Sequence, residues 1–321
     1  MLNLIFHASE AGIASQFEAI EKILDKKEFE LSFELFGSAK KILENRHIAN
    51  FENADIAICG FDKISQDNTS VFLEKVREKK IPSIGILDTW KGIDRFFNLD
   101  TIRDLPDLLL VIDNLSKNYL VKQGIPESKI TVISDFALEY FLKKFDSRKD
   151  KEVIEIKNKL RIFDKKPLLV FFSEPIVLPS GKNSSLARLA LKEQNDLSKT
   201  LNDKYGDKFH LLMRLHPLDG SINLKGWHNI NFLSLFESLS IADKVVGLSA
   251  TPVYYASRLG IDIENLENYL VKWHPSMSNI PSEIWEVIKI NYQTDPNRCK
   301  FIDKEKILAT RLSKIIIEMA K

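Results

Sequence analysis

The chain has 321 residues, of which 44% are hydrophobic and 28% charged, and its formal net charge is +1. This length predicts two domains rather than one small core. Acidic and basic residues almost balance, which gives no support to a general role on nucleic acid. No apolar run reaches the roughly 18 residues that a membrane-spanning helix needs. The N-terminus shows no signal-peptide pattern, and Cys59 and Cys299 show no metal or redox spacing, so we expect a cytoplasmic protein.

The first half of the chain alternates strand-like apolar runs with segments of helical periodicity. Such βαβ alternation predicts a mostly parallel, doubly wound sheet. The predicted strands are Leu2–Phe6, Phe29–Phe36, Ala54–Cys59, Ile81–Leu87, Leu108–Ile112 and Ile130–Ile133, and the predicted helices are Ile13–Leu24, Ser38–Ile48, Asn68–Lys80 and Ser116–Gln123.

A second alternating series follows residues 139–166, whose many charges indicate a solvated helix and a linker. The pattern predicts an α/β chain of two Rossmann-like domains that face a cleft holding the ligand site. We place the acceptor-side domain at 1–155, the nucleotide-binding domain at 156–300, and a closing helix that packs back toward the first domain at 301–321. In this half we predict strands Pro167–Phe172, Phe209–Leu215, Asn229–Phe232 and Lys244–Leu248, and helices Asn183–Tyr205, Ser234–Ala242, Val253–Leu259 and Lys304–Ala320.

Two polar motifs follow strands of this second series, at the points where the strands end. Arg214, His216 and Pro217 close one strand, while Ser249 and Thr251 lie between another strand and a helix. The carboxyl ends of neighbouring strands are where an open α/β sheet binds ligands. A guanidinium, an imidazole, two hydroxyls and a helix N-terminus together suit a phosphate or diphosphate.

With these motifs, two Rossmann-like halves and a closing helix, the chain resembles proteins of the GT-B glycosyltransferase fold. The similar groups are bacterial surface-polysaccharide enzymes: sialyltransferase-like proteins, glycerophosphotransferases that use CDP-glycerol, and the UDP-N-acetylglucosamine 2-epimerase group. The resemblance implies that His216-Pro217 contacts the nucleotide phosphates and that Ser249 and Thr251 do the same. From the residues alone, His216 can also act as a general acid toward the leaving phosphate, and Arg214 can bind phosphate bidentately.

The first βα loop carries a candidate general base. Sialyltransferase-like groups have two acidic residues followed by glycine in this loop, and here Glu10 is the carboxylate that precedes Gly12. The resemblance implies that Glu10 takes the proton of an acceptor hydroxyl. The alternative is that Glu10 favours the helix N-terminus and Gly12 gives a tight turn. His7 either orients the acceptor or packs at the end of its strand.

Two further loops are candidates for substrate contacts. Asp88, Trp90 and Arg95 form a polar loop suited to a sugar acceptor, although a helix cap and domain packing explain the same pattern. Ser173 and Glu174 begin a loop that resembles loops covering a donor diphosphate; the alternative is a surface segment.

Asp135 follows a strand near the crossing between the domains. It either lines the cleft or caps a helix.

The chain contains no Asp-x-Asp or His-Glu-x-x-His motif, so we expect no metal and no cofactor. The leading hypothesis is an inverting transferase for bacterial surface-polysaccharide synthesis, which moves a sugar from a nucleotide donor to a glycan or lipid-linked glycan. The resemblance implies a pyrimidine nucleotide. A nucleotide-sugar epimerase or hydrolase, and a non-catalytic subunit that binds a partner glycosyltransferase, stay open. Peripheral association with the inner face of the membrane and a homodimer are both compatible with the sequence.

Overall fold

A computed structural model describes residues 1–61, 66–87, 105–148, 150–173, 199–215, 225–247, 251–265 and 304–321. The chain divides into two compact units, Met1–Tyr140 with Phe301–Lys321, and Phe141–Lys300. Each unit is built on a parallel sheet with helices, so the predicted α/β fold with two Rossmann-like domains is confirmed. The domain limits given above from the sequence stay a prediction.

The sheet of the first unit has the strand order β2-β1-β3-β4-β5-β6, and every neighbouring pair is parallel. Its inner strands β3 and β4 are buried at every position. Continuous apolar runs of this kind are typical of parallel strands that are covered on both faces. The strands are β1 (Leu2–Ala8), β2 (Phe29–Leu35), β3 (Ile56–Gly60), β4 (Ser83–Leu87), β5 (Leu108–Val111) and β6 (Ile130–Val132).

The sheet of the second unit has the order β11-β10-β7-β8-β9, again with parallel pairs throughout. The central strand β7 is buried along its whole length. Strand β9 is shorter than predicted, and the edge strand β11 was not predicted because its charged residues give it no continuous apolar run. The strands are β7 (Leu168–Phe172), β8 (His210–Arg214), β9 (His228–Asn229), β10 (Lys244–Gly247) and β11 (Asp262–Asn265).

The helices connect these strands largely where the periodicity predicts them, and the closing helix is present as α10. None of the helices within the described ranges has the length and apolar content to cross a membrane. They are α1 (Ala11–Ile23), α2 (Gly37–Ile42), α3 (Gln66–Glu78), α4 (Asn114–Lys122), α5 (Phe136–Asp146), α6 (Asp150–Lys159), α7 (residues 199–205), α8 (Leu235–Ser240), α9 (Thr251–Arg258) and α10 (Lys304–Met319).

The predicted extension of α2 to Ile48 is wrong. Asn45 adopts a left-handed conformation at φ 63°, and the chain then returns to the edge of β2. There Phe33 donates its N–H to the His47 carbonyl at 2.8 Å and accepts the N–H of Ala49 at 3.0 Å. Pairing with an edge strand therefore replaces the last helical turn, which local periodicity does not reveal.

The core of the first unit packs α1 and α10 on one face of the sheet. Alternate residues of β1, among them Leu4 and Phe6, join Phe17 of α1 in one buried cluster. Leu308, Leu312 and Ile316 of α10 belong to the same cluster. The apolar stripe of the closing helix is therefore part of the core of this unit.

We expect Leu312→Ala to lower the free energy of unfolding by about 2 to 5 kcal/mol, because Leu312 is fully buried and its loss leaves a cavity. The matched control on the same helix is Ile307→Ala, which should cost less than about 1 kcal/mol since Ile307 is 56% exposed. Urea denaturation followed by circular dichroism measures both. Equal losses in the two variants would contradict this packing of α10.

Candidate functional site

Three neighbouring strands of the second unit end side by side. In the register of the sheet, Phe172 of β7 lies opposite Arg214 of β8, and Phe171 lies opposite Val246 of β10. The N–H of Ser173 donates to the carbonyl of Arg214 at 3.0 Å, which ties the ends of β7 and β8 together. We call the ends of β7, β8 and β10 the carboxyl edge of the second sheet. It is the position at which open α/β sheets bind ligands.

Arg214 brings a partly buried cation to this edge. Its Nη1 donates to the carbonyl of Leu233, in the turn that precedes α8. Burial lowers the pKa of the Arg214 guanidinium, and the nearby Glu237 carboxylate opposes this shift in part. A guanidinium has five N–H donors in a planar fork and stays charged. A partly desolvated cation of this kind can bind the oxygens of a phosphate, which would offset the cost of its burial.

Asn231 also holds the end of β8, and the sequence analysis did not identify it. Its Oδ1 accepts the N–H of Leu215 at 2.7 Å, while its own N–H donates to Oδ1 of Asn229 at 2.9 Å. Leu215 directly precedes the predicted phosphate ligand at position 216. No local pattern marks Asn231, because the strand end that it holds lies elsewhere in the sequence.

Strand β10 ends in a glycine where α9 approaches the sheet. A Cβ at Gly247 would lie 2.6 Å from Cγ2 of Val253 and 3.3 Å from the carbonyl oxygen of Phe172. Only a residue without a side chain therefore allows this close packing. Thr251, a predicted phosphate ligand, is the first residue of α9, so its hydroxyl lies at a helix N-terminus.

In the first unit, Glu10 occupies the N-cap position of α1, with φ −105° and ψ 159°. Its side chain makes no capping hydrogen bond, although the position favours a carboxylate. Gly12 lies inside the first turn of α1, so it does not form the tight turn that was the alternative explanation. The role of Glu10 as a base stays a prediction.

His7 lies inside the layer between β1 and α3, since it is only 1% exposed. Its Nδ1 is 3.0 Å from Oε2 of Glu34, and its ring stacks on Phe72 at 4.5 Å between centroids. Nε2 has no hydrogen-bond partner in the described part of the chain. This burial fits the packing alternative better than an acceptor contact.

Asp135 caps a helix. Its Oδ1 accepts the N–H of Leu138 and the Nε2–H of Gln16, both at 2.8 Å. The Oε1 of Gln16 in turn accepts the N–H of Ala137 at 3.1 Å. This buried bridge connects α1 to the start of α5 within the first unit.

Comparison with solved structures finds the same fold along the whole chain. The UDP-GlcNAc 2-epimerase from Neisseria meningitidis bound to UDP-GlcNAc has a TM-score of 0.63 and 12% identity, over 99% of this chain and 100% of that one. The UDP-N-acetylglucosamine 2-epimerase from Rickettsia bellii has a TM-score of 0.62 and 15% identity, over 100% and 97%. The wall teichoic acid polymerase TagF, with CDPG, has a TM-score of 0.52 and 12% identity, over 99% and 88%.

The chain has a GT-B-like fold. The predicted resemblance to the GT-B surface-polysaccharide enzymes is therefore confirmed for the fold. No family model matches the sequence, and no curated protein matches it.

Several predicted site residues of this GT-B-like chain lie outside the described ranges, as does the remainder of each loop that follows the carboxyl edge. They are Asp88, Trp90 and Arg95 on the acceptor side, and Glu174, His216, Pro217 and Ser249 on the nucleotide side. Their roles stay predictions, as do those of Ser173, Arg214 and Thr251, which the structure brings to one edge. Within the described residues, no group of three or more His, Cys, Asp or Glu side chains could hold a metal ion.

A charged cluster binds the edge strand β11 of the second sheet to α7. Glu264 accepts hydrogen bonds from the hydroxyl of Tyr205 and, at 2.9 Å, from Nζ of Lys204. Burial alone would raise the pKa of Glu264, but these hydrogen bonds outweigh it, so the pKa lies below its usual range. Hydrogen bonds to Tyr205 and Glu264 raise the pKa of Lys204. The cluster therefore favours an ionised Glu264 at neutral pH.

We expect Glu264→Gln to remove an acid-sensitive part of the stability. The folded-state pKa of Glu264 lies below the ordinary 4.5. The stabilisation is therefore present above that pH and is lost as the pH falls through the folded-state pKa. Melting temperatures measured between about pH 3 and about pH 7 should show wild type above the variant at neutral pH and the two converging in acid. A constant difference across this range would contradict the cluster.

Proposed function

We propose that the chain is an enzyme that acts on a nucleotide sugar, whose diphosphate binds at the carboxyl edge of the second sheet. The observation that carries the proposal is the convergence there of Ser173, the partly buried Arg214 and the N-terminus of α9 at Thr251. Hydroxyl, guanidinium and helix-start N–H groups are the donors that a diphosphate needs. Solved structures with this fold include complexes with UDP-GlcNAc, UDP and CDPG, which supports this class of ligand.

The reaction that we propose first is an inverting glycosyl transfer without metal or cofactor. Glu10 takes the proton of the acceptor hydroxyl while that oxygen attacks the anomeric carbon of the donor. The bond from this carbon to the phosphate oxygen breaks, and its electron pair leaves with the diphosphate. His216, Arg214 and Thr251 stabilise the charge that develops there. The acceptor is a glycan or lipid-linked glycan of the bacterial surface, and the donor base is a pyrimidine.

The acceptor side belongs to the first unit. Gly12, in the first turn of α1, contacts the acceptor together with Asp88, Trp90 and Arg95. The Trp90 ring stacks on the apolar face of the acceptor sugar. His7, which is buried and stacked on Phe72, acts on this side by packing at the end of β1 and not by contact with the acceptor.

A second candidate reaction is epimerisation of the nucleotide sugar itself. It is favoured by the epimerase from Neisseria meningitidis, whose TM-score of 0.63 exceeds the 0.52 of TagF and whose whole length is matched. An epimerase needs no acceptor, so the two candidates differ in their products.

We expect one pyrimidine nucleotide to raise the melting temperature without magnesium. The panel is CMP, UMP, CDP, UDP, GDP and ADP. A ligand at about 100 times its Kd stabilises the folded state by about 2.7 kcal/mol. Thr251→Val removes one hydroxyl donor and should weaken this binding about tenfold, which corresponds to a hydrogen bond to a charged group. Thr131→Val in β6 is the matched control and should leave the shift unchanged.

No shift with any nucleotide would contradict the proposed ligand. It would favour the alternative that the chain is a non-catalytic subunit that binds a partner glycosyltransferase. A shift that survives Thr251→Val unchanged would contradict the position of the site.

We expect His216→Ala to lower turnover about a hundredfold or more, because the developing charge on the leaving phosphate loses a donor. The substrate is a sugar linked to the nucleotide that the thermal-shift panel selects, and mass spectrometry and NMR identify the products with and without a glycan acceptor. Product formation that requires the acceptor supports transfer, whereas an epimeric nucleotide sugar in its absence supports the second candidate. Near-normal turnover in His216→Ala would exclude the proposed role of this residue.

A further inference from the structure

Phe36 is an exposed aromatic residue at the edge of the first unit where the parallel strands end. It is 40% exposed, and it is the N-cap residue of α2, directly after β2. Its N–H donates to the carbonyl of Ala8, the last residue of β1, at 3.0 Å. Ala8 precedes Glu10 by two residues. Phe36 therefore lies next to the first βα loop, which carries the proposed base.

The start of α2 is tied to the same loop through the carbonyl of Ser9. The N–H of Ala39 and the hydroxyl of Ser38 donate to this carbonyl at 3.2 and 3.3 Å. Gly37 has a left-handed conformation at φ 49°, and a Cβ there would lie 2.8 Å from the Ser9 oxygen. A larger residue at position 37 would be both strained and too close. The backbone around Phe36 is thus held against the loop.

The ring of Phe36 is the outer member of a column of rings. Its centroid lies 5.6 Å from that of His7, which stacks on Phe72 at 4.5 Å, and Phe72 lies 5.7 Å from Phe51. His7 and Phe72 are almost completely buried, so the inner part of the column is fixed. Contact with this column restricts the Phe36 ring before any ligand binds, which lowers the entropy cost of binding.

A carboxylate lies beside this ring. Oε2 of Glu34 is 3.0 Å from Nδ1 of His7, the same imidazole that the Phe36 ring contacts. The Glu34 side chain is 28% exposed. A sugar ring has an apolar C–H face and hydroxyl groups around its rim, so an aromatic ring next to a hydrogen-bond acceptor matches both of its surfaces.

The nearby Ile48 separates a sugar from a protein partner. Ile48 is 89% exposed and pairs with Phe33 of β2, three residues before Phe36 along the chain. Three residues of a strand span about 10 Å, and the carboxylate of Glu34 lies between the two positions. A protein partner that covered this edge would use both apolar side chains, whereas a sugar ring needs Phe36 alone.

We infer that Phe36 is a further acceptor-binding residue, whose ring stacks on the C–H face of a sugar of the acceptor. The inference rests on the proposed function, in which the first unit binds the acceptor. It specifies that the acceptor presents a sugar ring next to the hydroxyl group that Glu10 deprotonates. His7 holds the Phe36 ring in place and does not itself contact this sugar.

The test is saturation-transfer difference NMR of the full chain with soluble glycans and without nucleotide. The probes are cellobiose, N-acetyllactosamine and chitotriose, and glycerol is the polyol without a ring. Wild type should transfer saturation to the ring C–H protons of at least one glycan and not to glycerol. Phe36→Ala should raise the Kd of that glycan about tenfold, because the C–H face stays in water. Phe36→Tyr keeps the ring and should stay within about twofold of wild type.

The matched control is Ile48→Ser, which removes a more exposed apolar residue from the same edge and should leave glycan binding unchanged. Circular dichroism and melting temperature verify that each variant is folded. Sedimentation velocity tests the competing occupant, a second copy of the chain. A dimer of the wild type that Phe36→Ala dissociates would overturn the inference, because the ring would then lie in an interface between copies.

The inference would also be overturned if wild type transferred saturation to none of the glycans, or if Phe36→Ala bound them as tightly as wild type. The same holds if Phe36→Tyr lost binding to the extent that Phe36→Ala does, since the ring would then not be the feature that matters. Failure of the proposed function has a separate sign, which is that no nucleotide raises the melting temperature of the wild type.

Discussion

The parallel pairing of β7, β8 and β10 is the constraint on which the candidate site depends. Parallel strands end at the same edge of a sheet, so the segments that follow them converge whatever their separation in sequence. In this chain the convergence brings Ser173, Arg214 and the start of α9 together. Each of these residues alone would be an ordinary polar residue at a strand or helix end.

At this edge, burial disfavours the Arg214 cation, whereas its polar interactions favour it. The glycine at 247 lets α9 pack against the sheet, while the side chain of Arg214 is partly removed from water and depends on the Leu233 carbonyl and on Glu237. Partial burial raises the free energy of the Arg214 cation, and an anionic ligand would offset this increase. A phosphate is the ligand that we propose for this edge, where α9 also begins.

In the first unit, buried polar side chains serve to hold the unit together. His7, Gln16 and Asp135 are polar but buried, and their hydrogen bonds hold β1, α1 and α5 in place. His7 and Asp135, which from the sequence alone could face a ligand, thus serve the interior of the unit. Glu10, the N-cap residue of α1, is partly exposed, and its role as a base stays a prediction.

The sequence by itself determined the two alternating series, the positions of nearly all the strands and the closing helix, because continuous apolar runs and helical periodicity are local signals. It also placed Arg214 and Thr251 at the ends of strands. Only the tertiary structure decided that residues 47–49 pair with β2 instead of continuing α2, that the charged segment at 262–265 is a strand, and that Asn231 holds the end of β8. Each of these depends on a partner that is distant in the chain, and no local pattern encodes the identity of such a partner.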